Sequence, residues 1–311
     1  MNAALASLLS LALRLLYWPV CRAYSKTFVR DKPADSFLST LCCLQFVVTY
    51  KYWPNFRTPR RFSEKLWARM LYDRQTRLTL ISDKLRVRDY VAGKVGKEYL
   101  IPLLWEGDSP ENIPFDELPD RFVIKTNHGS GYIILVPDKK RIDRRQVRNL
   151  LGKWLKVNFG RDTYLGIAWG YNHIRPTIMI ESFVGGTDIP PIDYKFYCFG
   201  GHVEVATLHF DRFGVHRTRS YDRNFLPHEF KYCFDQWAGE FLRPPTYDAM
   251  VKIAEALSSE FDFMRVDLYS VDHSIYFSEL TPYPGGINTP FLPASQDRML
   301  GEKWPDKWSI K

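Results

Sequence analysis

The feature that most constrains this chain is a pair of alternating segments that runs into a turn-rich sequence, RVDLYSVDHSIYFSELTPYPGG at residues 265–286. Alternate side chains of a β-strand point to opposite faces, so this pattern predicts two antiparallel strands joined by a polar turn. The same reasoning predicts strands in FVIK, YIILV, TIMIESFV and DYKFYCFGGHVEVATLHFDR. A chain with this many strands folds around sheets.

Helical spacing of apolar residues marks several segments before and between those strands. It predicts helices in FSEKLWARMLYDR, SDKLRVRDYVAGKVG, RRQVRNLLGKWLKVNFG and YDAMVKIAEALSSEF, with Ser63 and Ser82 as helix caps. A helix-rich front followed by antiparallel strands with interspersed helices is an α+β arrangement. With 311 residues, 45% of them hydrophobic, the chain can bury the core of one globular unit with two or three subdomains.

The register of the strand pair decides whether two carboxylates meet. With a three-residue turn at 272–274, Asp267 lies opposite Glu279, and Arg265 lies opposite Thr281 on the same face. Carboxylates about 5 Å apart repel unless a cation lies between them, and hard oxygen ligands are what Mg²⁺ requires. Alternatively, Asp267 is solvated and Glu279 pairs with Arg265. A two-residue turn would place the carboxylates on opposite faces and exclude a shared metal ion.

Lys125 ends the predicted strand FVIK, shortly before the glycine-rich sequence HGSG. A hairpin with this tip would hold the lysine beside exposed backbone N–H groups, an arrangement that can cover phosphates. Glycine-rich turns between strands are common, so an ordinary surface hairpin with an exposed lysine explains the same residues.

Positive charge is concentrated at the front of the chain. Residues 1–70 contain eleven Lys and Arg against three Asp and Glu, which equals the whole formal net charge of +8. This favours an anionic partner for that segment, either a membrane surface or an acidic polymer. We find no helix-turn-helix, zinc-finger or RNP-type pattern and therefore expect no nucleic-acid partner.

The first twenty residues, MNAALASLLSLALRLLYWPV, are apolar and lack the basic opening and cleavage site of a secretory signal. A helix here either lies in a membrane interface or docks on the protein's own core. A spanning helix is disfavoured, because Arg14 would be costly in hydrocarbon. The five cysteines have no CxxC spacing, which argues against disulfides or zinc. We expect a cytoplasmic protein that is either soluble or peripheral at the inner face of the plasma membrane.

Five segments, in order along the chain, resemble one family. FSEKL, SDKLRVRDYV, LPDRFVIKTNHGSG, DYKFYCFGG and ELTPYPGG are similar to the TupA-like branch of the ATP-grasp superfamily, which is associated with bacterial surface polysaccharide synthesis. The resemblance implies an ATP-grasp fold that holds a nucleotide between two antiparallel-sheet subdomains, with ATP and Mg²⁺ as cofactors. It suggests a basic helical segment, an N-terminal lobe, a central lid subdomain and a C-terminal subdomain with the metal site, at 1–58, 59–116, 117–183 and 184–311.

The resemblance also implies roles for single residues. Lys84 and Lys125 would contact nucleotide phosphates, Glu181 would lie where the hinge strand meets the adenine, and Asp188 would hold the ribose hydroxyls. The loop residues beside Lys125 are His128, Gly129, Ser130 and Gly131. His128 is equally explained as an ordinary turn residue.

The remaining implied roles concern catalysis and the metal. Lys195 would lie near the transferred phosphate, and Arg265 would be directed at the acyl phosphate or its oxyanion. Asp267, Glu279 and Thr281 would ligate Mg²⁺. Many ATP-grasp enzymes have asparagine at the position of Thr281, and a hydroxyl ligates Mg²⁺ less readily than an amide oxygen. TupA-like proteins share the threonine.

The resemblance implies an ATP-dependent carboxylate–amine ligase that amidates a uronic acid or amino acid of a surface polysaccharide, so the partner is a small-molecule or glycan substrate. Two alternatives stay open: a kinase that phosphorylates a sugar hydroxyl, for which no base is evident, and a degenerate nucleotide-binding scaffold at the membrane. Arg212, Arg217 and Arg219 are candidates for binding an acidic substrate, although a solvated basic loop explains them better.

Overall fold

The computed structural model describes residues 36–164, 167–185, 191–212, 214–231, 234–285 and 289–305. These residues form an α+β structure with two sheets of mainly antiparallel strands, which confirms the predicted fold class. The predictions for residues 1–20 and for Asp188 fall outside the described residues. No helix in the described ranges is long and apolar enough to cross a lipid bilayer.

The described α-helices are α1 (Ser36–Tyr50), α2 (Phe62–Tyr72), α3 (Thr76–Ser82), α4 (Val87–Lys94), α5 (Arg144–Trp154), α6 (Phe159–Tyr164), α7 (Trp169–Asn172), α8 (Tyr247–Ser258) and α9 (Ala294–Lys303). Four of these nine described helices, α2, α4, α5 and α8, lie within the four segments where apolar spacing predicts helices. Short 3-10 helices occur at Lys97–Tyr99, Pro110–Asn112 and Lys139–Arg141.

The two predicted helix caps are wrong. Helix α2 has Arg61 as its cap, and the Glu64 carboxylate accepts the Arg61 backbone N–H at 3.1 Å. Ser63 lies inside the helix, where its hydroxyl donates to Asp297 at 2.7 Å. Ser82 is the last residue of α3. The Glu64 side chain therefore caps the start of α2, which is the role predicted for Ser63.

The smaller sheet has four strands in the order β1–β4–β2–β3. They are β1 (Leu103–Gly107), β2 (Phe122–Thr126), β3 (Ile133–Val136) and β4 (Ile178–Ser182). Ile124 and Ile180 face a core shared with Leu151 of α5. Because side chains alternate along a strand, Lys125 and Glu181 face the other side of this sheet.

The larger sheet has seven strands. They are β5 (Asp193–Phe199), β6 (His202–Phe210), β7 (Arg217–Tyr221), β8 (Pro227–His228), β9 (Asp235–Gln236), β10 (Phe263–Val271) and β11 (Ser274–Thr281). The order is β11–β10–β5–β6–β7–β8, and β9 pairs with β7 in parallel. Phe196, Leu208 and Leu268 pack on one face together with Met250 of α8 and Leu78 of α3.

The opposite face of the larger sheet is divided between core and cleft. At one end, Phe199 and Phe263 join a core with Phe62 of α2 and with Trp304. Toward the other end, the same face carries Lys195 and Asp267. The division places charged side chains at the boundary of a packed apolar core.

The turn between β10 and β11 has two residues, not the predicted three. Asp272 and His273 have left-handed φ angles of 48° and 65°, and Val271 pairs with Ser274. Positive φ at both central positions is the geometry of a tight type I′ hairpin turn.

A bulge in β11 nevertheless gives the predicted register. Leu268 pairs with Phe277 and Asp267 pairs with Glu279, so Ser278 is an extra residue. The bulge moves every later residue of β11 to the other face. Asp267 therefore lies opposite Glu279, and Arg265 opposite Thr281, which confirms both pairings.

Candidate active site

A cleft lies between the two sheets. Its apolar end is lined by side chains of both sheets, among them Val123, Ile133, Leu135 and Tyr269, together with Lys125 and Glu181. Its polar end is lined by Lys84, Lys195, Arg265, Glu279 and Thr281, among others. Arg212 lines both ends, so they are parts of one cleft.

Sheet register explains how residues far apart in sequence meet at the polar end. Glu279, Asp267, Lys195 and Thr207 are successive neighbours across four strands. In the next row, Tyr269, Asp193 and His209 are neighbours in the same way. Directly opposed side chains on a sheet are about 5 Å apart, so the polar end is a lattice of closely spaced charges.

Arg265 is the centre of this lattice. Its Nε and Nη2 each donate to Asp267 at 2.7 Å, and Nη2 also donates to Glu279 at 2.8 Å and to Thr281 at 3.2 Å. The guanidinium therefore lies between the two carboxylates that would otherwise repel. The carboxylates share a face, as predicted, and Glu279 pairs with Arg265, as in the alternative. The alternative is wrong about Asp267, which is fully buried and not solvated.

Lys195 links two buried acids. Its ammonium donates to Asp193 at 2.7 Å and also to Asp267. The same Oδ2 of Asp193 accepts from Arg212 at 2.7 Å, while Asp193 Oδ1 is buried without a hydrogen-bond partner in the described structure. Two cations thus converge on one carboxylate oxygen.

The two predicted metal-binding acids have different proton affinities. Burial raises the pKa of Asp267 to about 6, although Arg265 and Lys195 oppose the rise. Burial also opposes ionisation of Glu279, but the cations of Lys84, Arg265 and Lys195 outweigh it and hold the pKa of Glu279 well below its ordinary value. Glu279 is therefore a carboxylate throughout the physiological pH range.

The donor chemistry of these residues fits Mg²⁺ in part. Glu279 and Thr281 line the cleft and offer hard oxygen atoms, which Mg²⁺ prefers when nucleotide phosphates supply the remaining ligands. Both oxygens of Asp267 accept from Arg265 or Lys195, so this carboxylate ligates a metal only when those cations move. The described residues contain no cluster of three or more His, Cys, Asp or Glu that could hold a metal ion.

Lys125 and Glu181 form an ion pair on the cleft face of the smaller sheet. The Lys125 ammonium lies 2.7 Å from Glu181 Oε2, and Arg88 lies 3.0 Å from Oε1. Burial alone would lower the pKa of Lys125, but the Glu181 carboxylate raises it above its ordinary value. The lysine is thus held charged at the boundary between the apolar and polar ends.

Lys84 reaches the cleft from the turn between α3 and α4. Its ammonium donates to the Gly129 carbonyl, and its backbone N–H donates to the Asn127 carbonyl at 3.1 Å. Burial lowers the pKa of Lys84, Glu279 opposes this, and Lys125 adds to it. A bound anion would raise the pKa of Lys84 again.

The predicted loop residues do not all face the cleft. Ser130 lines it, whereas His128 turns inward, with Nε2 3.2 Å from the Trp154 carbonyl. A Cβ on Gly129 would lie 2.7 Å from the Tyr132 ring, so glycine is required there. Gly131 has a φ of 78°, which also favours glycine.

Of the three candidate arginines, Arg212 alone is a cleft residue in the part of the chain that the structure describes. Arg217 is exposed on β7, and Arg219 donates to the Gly239 carbonyl at 3.2 Å. Sequence reasoning missed the apolar and tyrosine side chains of the cleft and four charged or histidine residues of the site. The four are Arg88, Asp193, His209 and His216.

A model of one protein family, described as TupA-like ATPgrasp, matches residues 64–304. No curated protein matches the chain.

Several solved structures are similar to the chain. D-alanine–D-alanine ligase from Bacillus anthracis, complexed with ATP, is 16% identical with a TM-score of 0.39, over 67% of this chain and 56% of that one. L-amino acid ligase from Bacillus licheniformis is 17% identical with a TM-score of 0.44, over 68% and 45%. The ATP-grasp ligase PsnB, complexed with a precursor variant, Mg and ADP, is 12% identical with a TM-score of 0.39, over 80% and 63%. The chain spans about half the length of the first solved structures it matches.

Proposed function

Because this chain belongs to the TupA-like ATP-grasp family, we propose that it is an ATP- and Mg²⁺-dependent carboxylate–amine ligase. The observation that carries the proposal is the cleft in which Lys84, Lys195 and Arg265 surround Glu279 beside an apolar end. Fixed cations of this kind can neutralise the phosphates of a nucleotide and the charge that develops during phosphoryl transfer.

The apolar end is the proposed adenine site. Val123, Ile133 and Leu135 offer flat apolar contact from the smaller sheet, and Tyr269 offers it from the larger one. The phosphates would then extend past Lys125 toward Lys84 and the polar end. The proposal includes the implied contacts of Glu181 with the adenine ring and of Asp188 with the ribose hydroxyls.

In the proposed first step, a carboxylate oxygen of the substrate attacks the γ-phosphorus of ATP, and ADP leaves. Lys195 and Arg265 offset negative charge on the transferring group, and Arg212 can hold the acidic substrate from the opposite side. Glu279 and Thr281 would hold Mg²⁺, which neutralises phosphate charge when bound. In the second step, an amine attacks the acyl-phosphate carbonyl and phosphate leaves.

The proposed substrate is a uronic acid or an amino acid in surface polysaccharide synthesis, handled at the cytoplasmic side of the membrane. The cations at the polar end support an acidic substrate. The basic front of the chain supports a position near an anionic surface. The domain bounds given above are part of the same proposal.

A product assay tests the ligase. The protein is incubated with ATP, Mg²⁺, a pool of glucuronate, galacturonate and L-glutamate, and a pool of amino acids as amines. ADP, free phosphate and new amides are measured by chromatography and mass spectrometry. We expect stoichiometric ADP, phosphate and amide, all lost in Lys125→Ala and Glu279→Ala.

The matched controls are Lys94→Ala and Glu302→Ala, which remove surface ion pairs away from the cleft. Both should keep wild-type turnover. Phosphate retained on a sugar would make the protein a kinase. ATP binding without any product, including when Mg²⁺ is left out, would instead favour the scaffold.

A further inference from the structure

Two histidines at the polar end of the cleft have no part in the chemistry described so far. His209 Nδ1 and His216 Nε2 lie 2.9 Å apart, within hydrogen-bond distance. Both side chains line the cleft together with Lys195 and Arg265. Each ring has a second nitrogen that makes no hydrogen bond with the described residues, so the pair has capacity for a proton.

The fold fixes both rings. His209 lies on the cleft face of β6, directly opposite Asp193 on one side and Thr218 on the other. The His216 ring stacks on Phe234 with centroids 3.7 Å apart. Asp211 Oδ2 accepts the Val215 N–H at 2.8 Å, which fixes the backbone just before His216. These contacts therefore hold the two histidine rings in fixed positions.

The hydrogen bond limits the protonation of the pair. One ring must donate and the other accept, so two imidazolium rings cannot form it. Burial lowers the pKa of His209, and Lys195 and Arg265 lower it further. Burial and then Arg212 lower the pKa of His216. Both rings are neutral at neutral pH and can together accept one proton.

We propose that this pair is the proton acceptor for the amine nucleophile, with His216 as the catalytic residue and His209 as the residue that positions it. The proposal rests on the proposed ligase function. His216 is half-buried and His209 is buried, so His216 is the ring that an incoming amine can reach.

The substrate ammonium gives one proton to His216, which becomes an imidazolium that donates to His209. The free amine attacks the carbonyl carbon of the acyl phosphate, forming the C–N bond. The C–O bond to phosphate breaks, and the second nitrogen proton leaves on the departing phosphate. The imidazolium then releases its proton to solvent.

The charges around the histidine pair favour a base that accepts a proton only when the acyl phosphate is bound. Lys195 from β5, Arg265 from β10 and Arg212 from the loop disfavour the imidazolium, whereas Asp193 and Asp211 favour it. Bound phosphate groups neutralise the cations, so the proton affinity of the pair rises when the acyl phosphate is present. Asp193 Oδ1, buried and unpartnered among the described residues, adds a negative charge beside His209.

The spacing between His209 and Lys195 leaves room for the amine nucleophile. His209 is the diagonal neighbour of Lys195 across the β5–β6 pair. Such neighbours lie about 7–8 Å apart. Because His216 is hydrogen-bonded to His209 in the same cleft, an amine that attacks a group held by Lys195 can reach the His216 ring.

The test separates acyl-phosphate formation from amine activation. Hydroxylamine is unprotonated at neutral pH and needs no base, whereas an amino acid amine is protonated. Wild-type protein and the variants His216→Gln and His209→Gln receive ATP, Mg²⁺ and the carboxylate pool with either hydroxylamine or amino acids. We expect His216→Gln to keep hydroxamate formation and to lose at least about 100-fold in amide formation. His209→Gln should shift the pH profile of amide formation. His202→Gln, an exposed histidine on the same strand, should change neither.

Three outcomes would overturn the proposal. An equal loss of hydroxamate and amide would assign the histidines to binding or folding, and circular dichroism would tell these apart. Unchanged amide formation in both variants would show that the pair takes no proton. A wild-type protein that forms no hydroxamate would defeat the ligase itself, so this failure is recognised without the variants.

Discussion

Two buried charge clusters in this protein contain the same kinds of side chain and differ in what surrounds them. In the first, Arg69 donates to Asp262 and to the Phe263 carbonyl, at 3.0 Å for the latter, and its guanidinium lies 4.5 Å from the centre of the Trp304 ring. Trp304 Nε1 also donates to Asp262 at 2.9 Å. In the second, Arg265 binds Asp267 and Glu279 beside the cleft.

The difference lies in access rather than in burial. The Arg69 cluster is enclosed by aromatic rings and helix ends, so its partners are permanent. The Arg265 cluster opens on one side, so a phosphate or carboxylate can replace one of its partners. A buried ion pair is weak evidence for stability, whereas one that opens into a cleft indicates a binding site.

The largest effect should come from the enclosed cluster. Arg69→Met leaves Asp262 buried without its cation, which costs about 3–5 kcal/mol. The free energy of unfolding in urea measures the loss. The exposed control Arg298→Met should stay close to wild type, because surface pairs contribute little. A small loss in Arg69→Met would remove the contrast between the clusters.

The open cluster should respond through activity. Arg265→Met removes a cation from the reacting groups, and we expect kcat to fall by at least about 100-fold. The loss of stability should be smaller than for Arg69→Met, because Asp267 keeps Lys195. The product assay and urea unfolding on the same preparation give both numbers. Full activity with a large loss of stability would show that Arg265 is structural.

Nucleotide should stabilise the protein through the cleft. At ATP concentrations about 100-fold above Kd, binding adds about 2.7 kcal/mol to the free energy of unfolding. Thermal unfolding with and without Mg²⁺-ATP measures this gain. Lys125→Ala should lose it, and Lys94→Ala should keep it. A gain that survives Lys125→Ala would place the nucleotide elsewhere.

The smallest expected effect is on how the free energy of unfolding depends on pH. The folded-state pKa of Glu279 lies below the ordinary value of 4.5, so its stabilising contribution is complete above that pH. The contribution disappears as the pH falls toward the folded-state pKa. Glu279→Gln should therefore show a shallower loss of stability between neutral and acidic pH than wild type. Parallel curves would mean that the nearby cations do not favour the Glu279 carboxylate.

Much of the fold follows from local sequence periodicity. Alternation in residues 265–281 identifies the two strands that carry Asp267 and Glu279, and helical spacing finds α2, α4, α5 and α8. The family follows from five short segments in order. These features depend on neighbours in sequence, which is why sequence analysis finds them.

The sequence contains a signal for the two-residue turn and the bulge that the prediction of a three-residue turn does not use. Ile275, Phe277 and Leu280 all face one core. Their spacing changes from two residues to three, and that change marks the bulge. Regular alternation was assumed where the apolar residues show an interruption.

The histidine pair depends on contacts between distant strands. Asp193 meets His209 only through the β5–β6 register, which itself shifts between Tyr197 and Cys198. The polar residues Asp193, Lys195 and His209 do interrupt apolar strands, and this was the available signal. Their mutual distances could not follow from it, because sequence separation says nothing about pairing.

Ser278 gives the β10–β11 hairpin one spare residue. Deleting it would straighten the strand and leave Glu279 opposite Asp267, because the deleted residue has no counterpart in β10. A further deletion in β11 would turn the acidic side chain toward the apolar core. The hairpin can therefore lose one residue at this point but not two, and its length tolerance is set by the strand and not by the loop.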